Sequence, residues 1–501
     1  MQKASSHKQD IIKNTSIFSG SVYISQAIFF IRGFLNAKII GPELYGLWSA
    51  LIIILNYSQY VRLGSLNAMA REIPYQNGKG LIGPVERTKN TAFTICLFTA
   101  MIFSLALIVI AFLMRERIQL NEFIGLLTIA ATAFVVSIFE FYQIFVVAIK
   151  KFSAVSRVNI IFSVLSVALT LVFVVRFGIY GVYGIAVLIQ LLSLLYLAFK
   201  ERCRVKICFD LKEMARLINI GLPLGAINFL ESSLIDLPSV IVLALLGKSE
   251  LGYFSVAMLA IKFLTFFPGS IRKAFEPYIY QRYGETDDIH KIRNYVMKTM
   301  KAMALLFPVI LGAYYILVEF FIRHFLQKYT ASINPIFVLS IGVFFVSFSP
   351  VSNVFITALN KQKFLIPVYA IGIGIASLAS FVFIKMGYGL TGAGFGLALA
   401  FFFIGTVTFV YTLGHYVKDI ARCMFYTAGL FVPLIYVCLI VMSTGIIISC
   451  GHDIFSDTLR LVFRLAILLV LSCPLIYMAE AKTGIISDII RLLKYNRAKR
   501  L

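Results

Sequence analysis

Five charged side chains fall where the surrounding sequence makes charge expensive. Arg32, Glu140, Glu231, Asp236 and Lys262 lie inside long apolar runs, and Gln26 precedes Arg32 by six residues. A charge at the centre of a lipid-embedded helix costs about 2.5–3.5 kcal/mol on insertion scales, so each needs a partner, water or a ligand. Arg32 lies eight residues before Ile40, where its run ends; at ~1.5 Å per residue it is roughly 12 Å inside an apolar layer. A guanidinium at that depth can hold phosphate oxygens bidentately. Lys262, near the middle of its own run, can add a second positive charge. The alternative is structural: Arg32 paired with a carboxylate such as Glu140, and Asp236 paired with Lys262 at similar depth.

Glu140 and Glu231 can also take up a proton during a cycle, because an apolar surround disfavours the ionised carboxylate. That chemistry would couple a transport step to an ion gradient. Gln26 is about 120° round the helix from Arg32 and reaches only the edge of a site centred there. Ser232 and Ser233, next to Glu231, offer hydroxyls either to a sugar or to their own helix backbone. Arg62, Glu319 and Arg464 fall close to the ends of their runs, where long side chains are expected to snorkel to the interface.

The elements that must position these groups are helices in a bilayer. The chain has 501 residues, 60% hydrophobic and only 14% charged, against about 25% charged for a soluble domain. Its mean hydropathy is +0.90. Apolar runs long enough to cross a bilayer recur from Ser16 to Met478, which predicts an all-α polytopic membrane protein. About fourteen transmembrane helices are expected, from approximately 16–40 and 43–64 through to 424–449 and 459–478. The net charge of +23 does not imply a nucleic-acid partner. Most Lys and Arg lie in short loops on one side of the expected topology, which places both termini in the cytoplasm.

Lys3, Lys8 and Lys13 precede a first apolar segment too long for a cleaved leader, so a retained helix is expected there. Cys203 and Cys208 share a basic loop without nearby histidines, which argues against a metal site. No cofactor is expected. The tail from Ala479 is basic and amphipathic, and reads either as a helix on an anionic leaflet or as a solvated stop.

The chain repeats itself. Gly41-Pro42-Glu43-Leu44-Tyr45-Gly46 matches Gly247-Lys248-Ser249-Glu250-Leu251-Gly252 at an offset of 206 residues. Ala148 and Ala358 follow similar runs at an offset of 210, and the glycine-rich stretches at Gly178 and Gly389 match at 211. These offsets predict two six-helix lobes of the same orientation, related by a pseudo-two-fold along the membrane normal. The expected division is residues 1–200 for helices 1–6, 201–420 for helices 7–12, and 421–501 for two extra C-terminal helices with the basic tail. Gly41, Pro42 and Gly247 mark the turns of the repeat. Pro238, two residues from Asp236, is either a hinge or a static kink, since proline frees a backbone carbonyl.

The opening of the chain also resembles a known family. Arg32-Gly33, Gly41-Pro42-Glu43 with Tyr45-Gly46 and Trp48, Leu63-Gly64 and Arg71-Glu72-Ile73-Pro74 are similar to the start of polysaccharide flippases. Ile220-Gly221-Leu222-Pro223-Leu224 and Glu250-Leu251-Gly252-Tyr253 repeat the likeness in the second half. The family is that of the lipid-linked oligosaccharide (O-antigen unit) flippases of the multidrug/oligosaccharidyl-lipid/polysaccharide exporter superfamily. The resemblance implies a MATE-like fold and an undecaprenyl-diphosphate-linked oligosaccharide as substrate. It further implies movement from the cytoplasmic to the outer face of a bacterial inner membrane, for surface polysaccharide synthesis. Membrane lipids, a polysaccharide polymerase and glycosyltransferases are the partners it implies, and the last two helices could offer an apolar groove to a polyprenyl tail.

Three alternatives stand beside this. A drug exporter of the same superfamily would need acidic cavities without opposing cations, whereas Arg32 and Lys262 favour an anionic ligand. A peptidoglycan-precursor exporter would share the architecture. A membrane glycosyltransferase or polymerase would need a convergent acid/base or metal site. The nearest candidate, Asp287-Asp288-Ile289-His290, lies in a basic loop and reads as a solvated turn, so the chain is not expected to be an enzyme.

Overall fold

The computed structural model describes the backbone of all residues except Met1, Arg202, Asp287, Asn360, Lys418, 448–453 and 485–501. The side chains of 2–19, 270–271, 273–278, 280–286, 291, 420 and 454 also lie outside the description. The amphipathic-tail expectation therefore falls outside the described residues beyond Gly484, and Asp287 and Cys450 fall outside them as well.

Every regular element among the described residues is helical: the expected all-α membrane architecture holds. Twelve helical segments are long and apolar enough to cross a membrane. Two of them are far longer than one crossing needs. The segment Gly20–Tyr60 has 41 residues and Gln362–Gly414 has 53, against about 20 for a bilayer core. Each contains a break where the repeat expects a turn: Gly41 has φ 80 and ψ 171, while Gly387 and Gly389 have φ 93 and 52.

The chain divides into two compact units. The first comprises residues 1–236 and 246–255, the second 237–245 and 256–501. The first contains α1 (Gln2–Tyr57), α2 (Ser65–Gly78), α3 (Ile82–Leu113), α4 (Leu120–Ala148), α5 (Phe152–Leu169), α6 (Val175–Phe177) and α7 (Ile179–Glu201). It also takes most of α8 (Leu211–Leu246) and the start of α9 (Lys248–Thr286). Its α3 shows how such a helix sorts its faces. Ala92, Cys96, Ala100, Ser104 and Ala111 are buried, while Leu105, Val109 and Phe112 are exposed. Small residues let α4 approach closely, so Ser104 donates to the Ala130 carbonyl at 2.8 Å and Cys96 to that of Ser137 at 3.2 Å; polar side chains bonding across helices are a usual membrane device.

The second unit holds the rest of α9, then α10 (Ile289–Phe325), α11 (Ile333–Val346), α12 (Ser349–Ala358), α13 (Leu365–Phe383), α14 (Gly389–Gly414), α15 (Ile420–Ile447) and α16 (Ile454–Thr483). Here α14 packs on α11 and α13, and α10 on α15 and α16. Gly405 sits against the Phe345 backbone, where a side chain would overlap the carbonyl.

The repeat seen in the sequence is written in the backbone. A π-helical turn at Thr170–Val174 precedes Gly178, with φ 58 and ψ −130. A second at Ile384–Tyr388 precedes Gly389, with φ 52 and ψ −133. Three residues on, Gly181 and Gly392 each press against the turn just before them, at Phe173–Val174 and Phe383–Ile384 respectively. Both glycine pairs keep the offset of 211 residues.

Candidate functional site

In the first unit the site grows from the end of α1. The helix stops at Tyr57, a 3-10 turn covers Ser58–Tyr60, and Leu63 and Gly64 take φ 52 and 72 before α2 begins. Leucine in the left-handed region costs about 1–3 kcal/mol and persists only where its surroundings over-determine it. Gly64 supplies part of that constraint. It crosses Gly221 of α8 so closely that a Cβ on either would overlap the other's carbonyl. The crossing lays the next turns of α8 beside the turn, bringing Asn228, Phe229, Ser232 and Ser233 to Tyr57 and Tyr60. The Tyr60 hydroxyl can donate to Ser232 Oγ at 2.5 Å or to the Asn228 carbonyl at 3.0 Å, and Tyr57 donates to Ser233 Oγ at 3.2 Å. Tyr57, Tyr60 and Phe229 meet edge to face, with centroids 5.2–6.1 Å apart.

These elements and α4 enclose a cavity of about 360 Å³, lined among others by Gln59, Asn67, Asn228, Phe229 and the Arg62–Glu140 pair. Arg62 Nη2 is 2.5 Å from Glu140 Oε2, and Nε donates to the Gln59 carbonyl at 3.2 Å. Arg62 is 5% exposed, and its Nη1 is buried without a hydrogen-bond partner. This corrects two expectations. Arg62 does not snorkel, because Glu140 of α4 lies within reach. Glu140 is held by Arg62, not by Arg32.

Arg32 itself is half-buried on α1 and makes no ion pair among the described residues. One turn on, Asn36 is buried, with its Oδ1 unpartnered. Gln26 is exposed, Glu231 is half-buried, and Asp236 is buried and already engaged. Pro238 is buried within α8, and Lys262 is exposed on α9. Gly247 takes φ 94 just before α9. The second glycines of the two repeated motifs meet: a Cβ on Gly46 would overlap the Lys248 carbonyl, and one on Gly252 that of Pro42. Lys248 also pairs with Glu122 at the start of α4.

Sequence reasoning missed a polar cluster joining α2, α3 and α8. Arg216 bonds Glu72 and Glu213, each at 2.7 Å. Thr88 donates to Glu213 at 2.8 Å and accepts from Gln76 at 3.1 Å. Just ahead of α8, Asp210 accepts from the Glu213 amide at 3.0 Å and pairs with Arg87. The amide bond first, and then the guanidinium, hold its carboxyl below the usual carboxylate range. The Arg71-Glu72-Ile73-Pro74 motif could have signalled this, since Glu72 is its acid and Ile73 is fully buried.

In the second unit, α10, α15 and α16 line an apolar groove of about 1250 Å³, with Leu305, Phe425, Val432 and Met478 in its wall. Lys301, Arg422 and Lys482 also line it; Arg422 opens α15 and Lys482 closes α16. Farther along α10 and α16, a second correction applies. Arg464, 4% exposed, pairs with Glu319 at 3.0 Å, and Glu319 also holds Arg323. A carboxylate on the neighbouring helix keeps Arg464 buried instead of letting it reach the interface.

Long apolar helices with breaks and buried ion pairs define a multi-pass membrane protein. Comparison with solved structures agrees. An inward-facing multidrug resistance MATE family transporter of the MOP superfamily superposes with a TM-score of 0.67 at 14% identity, covering 80% of this chain and 95% of its own. A MOP superfamily transporter from Pyrococcus furiosus, described as having a binding pocket of reverse polarity, gives 0.59 at 14% over 82% and 96%. An outward-facing MATE transporter gives 0.58 at 14% over 82% and 96%. A search of curated proteins found no significant match. The family profile described as "Polysaccharide biosynthesis protein" matches residues 35–332, more than half of the chain. The chain belongs to that family.

Proposed function

We propose that this protein is an alternating-access flippase that moves a polyprenyl-diphosphate-linked oligosaccharide from the cytoplasmic to the outer face of a bacterial inner membrane. The observation that carries the reading is the second unit's groove. Its wall is largely apolar, as an isoprenoid chain requires, and Lys301, Arg422 and Lys482 line it with positive charge suited to a diphosphate. The family match supports a role in polysaccharide synthesis, and the fold is one seen in transporters facing either way.

In this reading the long segments Gly20–Tyr60 and Gln362–Gly414 each cross twice, bending at Gly41 and at Gly387–Gly389, which gives fourteen crossings with both termini inside. Arg32 offers its guanidinium to the diphosphate, Lys262 adds charge, and Gln26 touches the edge of the path. Glu231 is the acid for ion coupling, and Asp236, buried and already engaged, serves either coupling or structural pairing. Glu140, already paired, serves structure. A polymerase and glycosyltransferases would act on either side of the transport step.

The test is a deletion strain. Lipid-linked oligosaccharide should accumulate on the inner leaflet, and purified protein in liposomes should restore its transfer. Normal surface glycan without accumulation in that strain would refute the proposal.

A further inference from the structure

We propose that the cavity at the end of α1 is a subsite for a neutral pyranose; this deepens the flippase reading and rests on it. A pyranose presents two chemistries at once: a ring of hydroxyls needing directional partners, and a C–H face that sits on aromatic rings. The cavity supplies both. Tyr60 and Phe229 of its lining meet edge to face at 5.2 Å, with Phe229 41% exposed. Gln59, Asn67 and Asn228 present neutral amides in the lining, each able to donate and accept. Its volume of about 360 Å³ lies at the low end of small-ligand sites.

The cavity's two charged residues, Arg62 and Glu140, are paired with each other. The same pair decides the sign of the ligand. Glu140 lies 2.5 Å from the Arg62 guanidinium and cancels its charge, and the Glu140 side chain is 32% exposed. A carboxylate or phosphate entering here would meet that like charge, and like-charge juxtaposition is strongly disfavoured. The cavity therefore fits an uncharged sugar, and the diphosphate of the same substrate must be held elsewhere.

The test uses the purified full-length protein and saturation-transfer NMR with a panel of methyl glycosides. The neutral members are the glucoside, galactoside, rhamnoside and N-acetylglucosaminide, and the anionic one is the glucuronide. At least one neutral glycoside should receive saturation, the glucuronide should not, and inorganic pyrophosphate should not displace the neutral ligand. Asn67→Ala, whose side chain makes no bond within the protein among the described residues, should cut the signal at least fivefold. Phe229→Leu should do the same, both with unchanged thermal melting. Silence from every neutral glycoside, equal signals in the variants, or displacement by pyrophosphate would each overturn the subsite. The two readings fail separately. Inner-leaflet accumulation in the deletion strain with wild-type transfer by Asn67→Ala would leave the flippase and remove the subsite, whereas a deletion strain without accumulation would remove the flippase itself.

Discussion

Removing the Glu140 carboxylate alone should destabilise the first unit more than removing both members of its ion pair. With charge centres roughly 4 Å apart at an effective dielectric of about 20, the attraction is about 4 kcal/mol. Part of the Glu140 side chain remains exposed, at 32% against 6% for Arg62, so the attraction is screened on one side only. Stripping the partner from a buried charge costs about 3–5 kcal/mol in general; with that screening we place Glu140→Ala at about 2–3 kcal/mol. Arg62→Leu with Glu140→Leu leaves no orphan charge, and its cost should fall within about 1 kcal/mol of wild type, because apolar replacement of buried pairs is often neutral. The assay is thermal unfolding of purified protein, with urea titration in detergent as the second axis. Both should rank the double variant above Glu140→Ala. A Glu140→Ala protein as stable as wild type, or a double variant less stable than the single, would refute the argument that this pair exists to neutralise a trapped guanidinium.

Three further outcomes follow from single groups. Arg32→Ala should abolish surface glycan while leaving membrane abundance near normal; a normal glycan profile excludes a phosphate role for that guanidinium. Gly46→Ala should cost about 1–3 kcal/mol, because its Cβ would overlap the Lys248 carbonyl in a packed crossing. Gly184→Ala, which meets open space, should instead be neutral or stabilising by up to about 1 kcal/mol, and the same sign for both in thermal melts would contradict the packing. The Cys203 thiol, outside the spans, has its pKa raised by burial first, so less thiolate is present near neutral pH and maleimide labelling should stay slow there. Its labelling rate should climb with pH through a midpoint above the ordinary thiol value of about 8.5. In that window the unfolded chain deprotonates first, so this group's contribution to stability declines as pH rises. A midpoint at or below the ordinary value would show the thiol to be solvated.

The sequence revealed the membrane class and the repeat because both are periodic properties: apolar length is set by bilayer thickness, and the glycines recur at near-constant offsets. Gly178 and Gly389 were legible as a pair, and their matching φ and ψ values follow from the freedom that only glycine has there. Partner choice was not legible. Depth along a helix can be counted from rise, but the face a side chain takes depends on what packs against it. Arg62 and Arg464 looked like end residues by count, yet each is turned inward by a carboxylate from a distant helix, Glu140 and Glu319. Glu140 lies 78 residues from Arg62, and nothing in local spacing distinguishes it from Glu231.

The same reasoning explains why the cavity escaped detection. Tyr60, Asn67, Asn228 and Phe229 are individually ordinary in a chain with 46 Phe and 25 Tyr. What gathers them is the contact between Gly64 and Gly221, where two backbones touch because neither residue carries a side chain. Both glycines were visible in the family-like motifs, Leu63-Gly64 and Ile220-Gly221, but only as isolated marks. Their meeting accommodates a left-handed turn at Leu63, and the same turn carries Arg62, paired with Glu140, and Tyr60 into one cavity lining. A substitution at Gly221 should therefore damage sugar recognition through geometry alone, while leaving every side chain in the cavity unchanged.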